Sequence, residues 1–429
     1  MSASDSSELP RRCDAVVIGG GIIGLATAFF LARAGLRPLV LERAGVGAAQ
    51  SGRNWGWVRR MGRDPRELEL AARALEMWPR LGADHGVEGG FVPCGILYLC
   101  RDERAMAARL AWHARHAGAA GGGIRVLSAR EVRGMLPQAS GRFHGALFSP
   151  RDGRAEPLAA TRAFAAAARR HGAVIREGCA ALAIERAAGR VLGVRTAGGF
   201  VRSDVVVLAG GVFSHLLLAG LGVDLPQLAV VNSVLRTAPL SGLPEVTVGA
   251  GDYAFRRAAD GGVVLAHGRL SEVIPTWRHL RLLPRYLPAL AGAWRELRPR
   301  LASPHQPWAV RARDAAAMAR LFAAHPAPDP PPSRRILARA LRAAAADFPV
   351  LAAARVAHRH AGVIDVLPDA VPVIDAPAAV PGLVLATGFS GHGFGLAPAA
   401  GELAAALAGG RRPAVDPAPF RLDRAALRN

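Results

Sequence analysis

"DAVVIGGGIIGLATAFFLARAGLRPLVLER", residues 14–43, is the stretch that decides how the chain folds. The short apolar run at 15–18 is typical of a buried strand, and the apolar helical run after the glycines ends near Gly35. A second apolar run then finishes on Glu42. Strand, glycine turn, helix and strand in this order predict the βαβ unit of a Rossmann-type α/β fold.

Three glycines of this unit, Gly19, Gly21 and Gly24, have the Gly-x-Gly-x-x-Gly spacing of a dinucleotide-binding turn. The first makes the tight turn, the second lets the backbone approach a pyrophosphate, and the third lets helix and strand pack closely. The helix N-terminus offers free N–H groups to phosphate, and Glu42 stands where an acid accepts ribose hydroxyls. The pattern predicts a dinucleotide without separating FAD from NAD, and a tight turn with no ligand is the alternative.

Composition limits the classes of partner. The chain has 429 residues, of which 51% are hydrophobic and 20% are charged, as expected for a globular protein of one large or two ordinary domains. The formal net charge is +21, and all 54 basic residues are arginines, spread along the chain. A nucleic-acid site is a basic patch or stripe, so no nucleic acid is expected, whereas an anionic substrate or a membrane surface suits the charge.

Cysteine and histidine spacing argues against a metal site. The four cysteines are scattered and include no Cys-x-x-Cys pair: Cys13, Cys94, Cys100 and Cys179. This pattern disfavours a zinc ribbon and a disulfide framework and fits a reducing cytoplasm. His358 and His360 would share one face of a strand, but no third ligand follows at a sensible spacing. No metal is therefore expected.

Two further segments carry small residues at the end of a predicted strand. Residues 205–211, VVVLAGG, predict a strand inside a parallel sheet that ends on Gly210 and Gly211. Residues 383–395, LVLATGFSGHGFG, predict a strand that runs into a glycine-rich turn and then a helix. Glycine is kept where the backbone bends sharply or approaches something closely, so both segments are expected to approach the same extended cofactor.

The middle of the chain predicts a second, different sheet. Residues 228–274 alternate strands with turns and predict an antiparallel sheet, followed by helices at 280–302 and 334–346. Residues 325–335 form a proline-rich surface loop. The loop SGRNWGW, residues 51–57, is of a kind that wraps a flavin ring, with an ordinary surface loop around a buried tryptophan as the alternative.

Together these segments resemble the D-amino-acid oxidase family of flavoproteins, which includes sarcosine oxidases, glycine oxidases and D-amino-acid dehydrogenases. The resemblance covers most of the chain and is most specific in VVIGGGIIG, SGRNWGW, DVVVLAGGVFS, GVIDVLPDAVPVID, ATGFSGHGFG and DPAPFRLDR. It implies bound FAD and two interleaved halves, a Rossmann-type FAD-binding domain and an antiparallel-sheet substrate domain. The first would comprise residues 1–90, 150–226 and 355–429, and the second residues 91–149 and 227–354.

The same resemblance implies where FAD is held. The residues expected around the ADP portion are Gly19, Gly21, Ile23, Gly24, Glu42 and Arg43, with Ala180 near the adenine. Those expected beside the ring system are Ser51, Gly52, Arg53, Asn54, Trp55 and Gly56, while Ala209, Gly210 and Gly211 line the cofactor. Those expected at the pyrimidine edge and ribityl chain are Gly391, His392, Gly393, Phe394 and Gly395. Reduction leaves negative charge at this edge of a flavin, which a helix N-terminus stabilises.

Three departures from the family's pattern refine these expectations. Some sarcosine oxidases tether flavin through a cysteine at the position of Gly362, and no cysteine follows Cys179, so FAD is expected to be non-covalent. Relatives place a lysine after GHGF to grip the substrate carboxylate, where this chain has Gly395. Some relatives also activate oxygen with a lysine, and this chain has none, which favours a dehydrogenase over a fast oxidase and disfavours sarcosine as the substrate.

The implied reaction is oxidation of a C–N bond in an amine or amino acid, either a D-amino acid or an N-alkyl amino acid. A hydride would pass to flavin N5, and the resulting imine would hydrolyse. The arginines expected for a substrate carboxylate, each of which could instead be structural, are Arg59, Arg60, Arg256 and Arg257. Tyr253 would either cover the flavin's substrate face or pack in a strand, and His392 would either contact the flavin or be satisfied within its turn.

Two other functions stay open at this point. An FAD enzyme of related fold could oxidise a hydroxy acid or alcohol, which releases no ammonia or amine. A tRNA-modifying flavoprotein would suit the basic charge and bind RNA in a salt-dependent way, but the basic patch is missing. The electron acceptor would be oxygen or a carrier such as a quinone, and a quinone is compatible with peripheral membrane contact. Residues 1–14 lack a signal-peptide core and the apolar run from Val16 is broken by glycines, so a cytoplasmic location is expected.

Overall fold

The computed structural model describes residues 9–300 and 314–428. Its strands, in chain order, are β1 (Ala15–Ile18), β2 (Pro38–Leu41), β3 (Trp57–Val58), β4 (Ile96–Cys100), β5 (Arg125–Ser128), β6 (Gly145–Ser149), β7 (Gly153–Arg154), β8 (Val174–Arg176), β9 (Ala181–Ala187), β10 (Arg190–Thr196), β11 (Gly199–Arg202), β12 (Val206–Leu208), β13 (Leu228–Thr237), β14 (Thr247–Gly249), β15 (Ala254–Arg257), β16 (Val263–Ala266), β17 (Ser271–Val273), β18 (Leu297–Pro299), β19 (Val356–Val366), β20 (Val373–Asp375) and β21 (Leu383–Thr387). Its helices are α1 (Ile22–Arg33), α2 (Leu68–Met77), α3 (Leu81–His85), α4 (Glu103–His116), α5 (Ala129–Met135), α6 (Pro157–Arg170), α7 (Ser214–Ala219), α8 (Trp277–Ala293), α9 (Ala315–Ala324), α10 (Arg334–Asp347), α11 (Gly393–Ala408) and α12 (Ala425–Arg428).

The first sheet is the predicted Rossmann-type sheet. Its order is β20-β21-β12-β1-β2-β8, and every neighbouring pair is parallel except β20 with β21. Strands β1 and β2 are buried along their whole length, as expected for a sheet covered on both faces. Because β1, β2, β12 and β21 run in one direction, their carboxyl ends meet at one edge. In such sheets this edge is where ligands bind.

Helix α1 explains why the opening stretch is apolar on every side. Residues Ile22 to Ala32 are all buried, because α1 lies between the first sheet and the helices α6 and α11. A helix that is hydrophobic all round belongs in an interior rather than at a surface. The other face of the sheet is covered by the antiparallel strands β9, β10 and β11, with α7 packed against β9.

The second sheet is larger and mostly antiparallel. Its order is β18-β17-β13-β16-β15-β14-β4-β6-β5, with β19 added on β13. The alternating strands predicted for 228–274 are confirmed here as β13 to β17. Strand β19 lies within the range 355–429 assigned by sequence to the FAD-binding half, yet it pairs along its length with β13 of this sheet. One continuous segment therefore connects the two sheets.

The two helices expected after the second sheet have different outcomes. The helix at 334–346 is confirmed as α10, which packs its apolar face against this sheet. The prediction of a helix at 280–302 is wrong about where the helix ends, because α8 ends at Ala293 and a 3₁₀ turn, Trp294–Glu296, follows. Strand β18 then pairs with β17. Pairing with a neighbouring strand thus overrides the local helical pattern beyond Ala293, and residues 301–302 lie outside the described residues.

Candidate cofactor cavity and substrate groove

An elongated cavity lies at the edge where the parallel strands of the first sheet end. The loops after β1, β2, β12 and β21 supply most of its wall. The sequence-predicted cofactor residues that line it are Gly19, Gly21, Ile23, Glu42, Arg43, Ser51, Arg53, Asn54, Ala209, Gly210, Gly211, Gly391, Gly393 and Phe394. The four segments proposed from sequence are thereby brought to one cavity.

The glycines of the first turn bring backbone segments into contact. Gly19 has φ of +112°, and a Cβ there would lie 2.4 Å from the carbonyl oxygen of Ala209. A Cβ on Gly24 would lie 2.1 Å from the carbonyl oxygen of Gly19, so Gly24 packs α1 on the turn and does not line the cavity. The wall at this point is bare backbone, which fits the close approach of a pyrophosphate.

Two polar side chains are fixed beside this turn. The carboxylate of Glu42 accepts hydrogen bonds from the backbone N–H groups of Gly20, at 2.7 Å, and Ala44, at 2.8 Å. The hydroxyl of Ser51 accepts from the N–H of Ile22 in the first turn of α1, at 2.9 Å. The acid therefore stands rigidly at the end of β2, where a ribose would be recognised, and the helix N-terminus faces the cavity. These features fit FAD.

The far end of the cavity is aromatic, which the sequence did not predict. The guanidinium of Arg43 lies 3.9 Å from the ring centre of Phe213 and 4.9 Å from that of Phe322. Burial lowers the pKa of Arg43 to about 10. Phe213 and Phe322 are more than 100 positions apart, so no local pattern pairs them. Of the predicted residues, Ala180 does not line the cavity, whereas its neighbour Ala181 does.

A buried polar network supports the glycine-rich turn after β21. The carboxyl group of Asp365 accepts from the N–H of Gly388 and from the side-chain amide of Gln227, each at 2.9 Å. Burial raises the pKa of Asp365, although these two donors oppose the rise. The hydroxyl of Thr387 donates to Ser214 at 2.8 Å. This network fastens the turn to β19, and sequence reasoning missed it because its members are distant in the chain.

His392 and Gly395 serve packing rather than lining the cavity. Nδ1 of His392 lies 3.1 Å from the carboxylate of Glu67, which is fully buried. Burial, together with the nearby Arg63, lowers the pKa of His392 despite Glu67. His392 thus has a hydrogen-bond partner from outside its turn, which matches the alternative of a satisfied histidine rather than a flavin contact. Gly395 is buried, and its carbonyl oxygen accepts a hydrogen bond from Nε1 of Trp78 at 2.8 Å. A Cβ at this position would lie only 3.1 Å from the carbonyl oxygen of Trp57.

Arg256, the arginine expected to hold a carboxylate, is already bonded on several sides. It forms a two-point ion pair with Glu156, at 2.7 and 3.1 Å, and its Nε donates to the carbonyl oxygen of Trp55. Gly56 lies over the same guanidinium, since a Cβ there would be 2.8 Å from its Nε. Arg256 thus holds the Trp55–Gly56 loop on β15. Like Gly52, these two loop residues do not line the cofactor cavity.

The other sequence-predicted catalytic residues lie away from the cofactor cavity. Tyr253 is fully buried, donates to Asp347 at 2.6 Å and stacks on Phe255, so its position supports strand packing instead of a flavin contact. The three remaining arginines all donate to backbone carbonyls: Arg59 to Met61, Arg60 to Gly122, and Arg257 to Leu243. Their positions support the alternative that these arginines are structural, because none of them lines the cofactor cavity.

A second, open groove borders the cofactor cavity, and Arg53 and Asn54 line both. Strand register builds one wall of the groove. His358 pairs with Arg236, Arg236 with Val264, and Val264 with Arg256, so four strands place one residue each in a single row. The acids Glu156 and Asp329 also line the groove. Many of the groove's lining side chains are therefore ionisable, whereas the cavity wall is formed mainly by glycines and apolar or aromatic residues.

The histidine pair predicted on one strand face is present on β19. The rings of His358 and His360 stack with centres 5.5 Å apart. Burial, followed by the charge of the neighbouring His358, lowers the pKa of His360. Within residues 9–300 and 314–428, no group of three or more His, Cys, Asp or Glu side chains is arranged to hold a metal ion.

Fold and site together define a flavin-type oxidoreductase, and comparison with known proteins gives the family. The profile of the DAO family, described as FAD dependent oxidoreductase, matches residues 14–407. The chain therefore belongs to this family and is an FAD-dependent oxidoreductase. Among the helices that the structure describes, none has the length and apolar character needed to cross a membrane.

Individual relatives act on amines and amino acids. A glycine oxidase from Pseudomonas putida is 28% identical over 418 residues, which cover 94% of this chain and 97% of that protein. A 4-methylaminobutanoate oxidase from Paenarthrobacter nicotinovorans is 32% identical over 258 residues, but these span only 30% of that protein. The structure of an L-amino acid deaminase from Proteus myxofaciens superposes with a TM-score of 0.90 at 28% identity, covering 99% and 96% of the two chains. The chain is an enzyme that oxidises the C–N bond of an amine or amino acid.

Proposed function

We propose that the substrate is an α-amino acid, primary or N-alkylated, that enters through the groove. The observation that carries this proposal is the meeting of groove and cofactor cavity at Arg53 and Asn54. Bound FAD would accept the hydrogen and the two electrons that leave the carbon beside the nitrogen. The chain's own task is to place the substrate at this junction, since positioning contributes most to such a step.

Arg53 is the group that we assign to the substrate carboxylate. Its Nη1 donates to the carbonyl oxygen of Ala361 at 3.1 Å and forms an ion pair with Asp329. Asp329 belongs to the proline-rich loop and its side chain is 75% exposed. A carboxylate thus already sits on Arg53, and exposed pairs of this kind are weak, ~0–1 kcal/mol. A substrate carboxylate that reaches the junction can displace it.

Gln50 supplies a matching group for the substrate nitrogen. Its side-chain oxygen is buried and has no hydrogen-bond partner among the described residues. It points at Gly362, where a Cβ would lie 2.2 Å from it and 3.3 Å from Cβ of Arg53. Buried acceptors are normally satisfied, and an amine N–H would satisfy this one. A guanidinium and an amide oxygen side by side complement the two ends of an α-amino acid.

The electron acceptor and the location extend this proposal. The absence of lysine supports an acceptor other than oxygen, such as a quinone or another electron carrier. All four cysteines are free, which supports a reducing compartment such as the cytoplasm. FAD is proposed to be held non-covalently at Gly362, which offers no side chain for a link.

Anaerobic titration of the yellow holoenzyme tests the substrate class. Flavin absorbance is followed while L- and D-amino acids, N-methyl amino acids and the hydroxy acids of the same side chains are added. Bleaching by an amino acid, with ammonia or an amine as product, is expected, and the corresponding methyl ester should bleach far more slowly. Bleaching only by hydroxy acids would overturn the proposed substrate. After bleaching, the rate of colour return in air separates an oxidase from a dehydrogenase.

A further inference from the structure

One helix exposes an apolar stripe of a kind found nowhere else in the described residues. What we call the α8 stripe consists of Trp277, Leu280, Leu283 and Leu287 on α8 and of Trp294 in the 3₁₀ turn that follows, with exposed fractions of 65, 63, 41, 56 and 61%. The other exposed large apolar residues of the described chain, Val92, Leu110, Val126 and Val174, reach at most 41% and lie on separate elements. Single exposed apolar residues are ordinary, whereas a contiguous patch marks an interaction surface.

The stripe is exposed because the opposite face of α8 is already docked. Leu282 and Tyr286 are buried against Leu228. The hydroxyl of Tyr286 lies within hydrogen-bond distance of the carbonyl oxygens of Pro226, at 2.7 Å, and Val366, at 2.6 Å. Spacings of three and four residues put the four members on α8 on one side of the helix. The helix is held in place and presents this side outward.

The charge around the stripe points to the class of partner. Between residues 277 and 300 the chain has six arginines and a single acid, Glu296, and one further acid, Asp224, pairs with Arg281 and Arg285. Arg281, Arg295 and Arg298 are exposed, and the guanidinium of Arg295 lies 5.1 Å from the ring centre of Trp294. These arginines, on a chain of net charge +21, oppose contact with a second copy of itself. Anionic lipids attract arginines that lie near the membrane surface.

We propose that the α8 stripe is a membrane-docking surface for an anionic bilayer. The apolar residues would enter the headgroup region while the arginines contact lipid phosphates, as in helices that lie in the interface plane. Tryptophan at both ends of the stripe suits this position, because tryptophan prefers the membrane–water interface. The inference does not rest on the proposed substrate, and vesicle binding tests it without turnover.

Flotation of the full-length holoenzyme with vesicles tests the proposal. The vesicles are phosphatidylcholine alone or phosphatidylcholine mixed with phosphatidylglycerol. Binding is expected to the mixed vesicles, to weaken with salt, and to be at least ~10-fold weaker with phosphatidylcholine alone. The variant Leu280→Ser/Leu287→Ser should lose at least ~10-fold in affinity. The matched control, Val126→Ser/Val174→Ser, should bind as the wild type does.

Several results would overturn the proposal. Equal binding of both vesicle types would remove the role of the arginines, and unchanged binding by the stripe variant would remove the role of the apolar residues. A dimer in light scattering that Leu280→Ser/Leu287→Ser dissociates, with no vesicle binding, would make the stripe a contact between copies. If this variant loses flavin or stability, Arg295→Glu/Arg298→Glu replaces it, because charge reversal leaves the stripe intact and must still abolish binding to anionic vesicles.

Discussion

The cofactor cavity and the groove beside it are lined by different types of residue. Glycines at the strand ends and apolar side chains form most of the cavity wall, whereas charged side chains, including those from β13, β15 and β19, line much of the groove. Where glycine backbone forms the wall, exchange of neighbouring side chains leaves the wall unchanged, but an added Cβ blocks it. Where side chains form the wall, exchange of one side chain changes the shape and charge of the wall. The first can bind one invariant cofactor, and the second can be adjusted to a particular substrate.

Gly19→Ala should have the largest effect of any single change. The new Cβ would collide with the carbonyl oxygen of Ala209 at 2.4 Å, and φ of +112° is unfavourable for alanine. We expect protein that purifies without flavin, measured by the ratio of absorbance in the flavin band to that at the protein band.

Gly35→Ala is the matched control for this change. Gly35 also has positive φ, +86°, but a Cβ there meets nothing within 4 Å. Gly35→Ala should therefore lower the unfolding free energy only by the strain of a left-handed residue, about 1–2 kcal/mol. The variant should keep its flavin. Equal loss of flavin from the two variants would mean that strain, rather than the close approach, governs cofactor binding.

Arg53→Met should have the next largest effect, on the groove side of the comparison. Loss of a charge-assisted bond to the substrate carboxylate, about 1.5–3 kcal/mol, should raise KM by roughly 10- to 100-fold. Arg236→Met, in the same groove but away from the junction, should change KM little. Steady-state kinetics and flavin content are measured on both variants. Flavin loss in Arg53→Met would instead assign Arg53 to the cofactor.

Burial of His215 should make the folded protein less stable in acid. His215, behind the cofactor cavity, is buried, and burial lowers its pKa from 6.5 to about 3. Below pH 6.5 the unfolded chain takes up a proton that the folded chain does not, so stability falls by about 1.4 kcal/mol per pH unit. Between pH 7 and pH 5, the unfolding free energy measured with urea should fall by about 2 kcal/mol less for His215→Asn than for the wild type. Equal losses would contradict the assignment.

Asp329→Asn should give the smallest effect, with a sign opposite to that of Arg53→Met. Removing the carboxylate that competes for Arg53 frees the guanidinium for substrate. Because an exposed pair contributes ~0.2–1 kcal/mol, KM should fall by up to ~5-fold with kcat retained. A rise in KM would show that Asp329 assists binding, and would place the substrate carboxylate elsewhere in the groove.

The two regions also differ in how far the sequence predicts them. Glycine spacing around Gly19 is a local signal, and the cavity lies where this signal puts it. The row formed by His358, Arg236, Val264 and Arg256 depends on register between strands that are far apart in the chain. No local pattern contains that register. For the same reason the sequence left open whether Tyr253, which directly precedes β15, faces the flavin or packs in the core. Gln227 and Asp365 escaped prediction for the same reason.

The position of β21 and the turn after it has a consequence for biosynthesis. Strand β1 emerges first from the ribosome, but it pairs with β12, and β12 in turn pairs with β21 near the C-terminus. Such long-range parallel pairing cannot form until both segments have been synthesised, and it is slow. The growing chain therefore cannot complete the wall around a flavin until β21 has been synthesised.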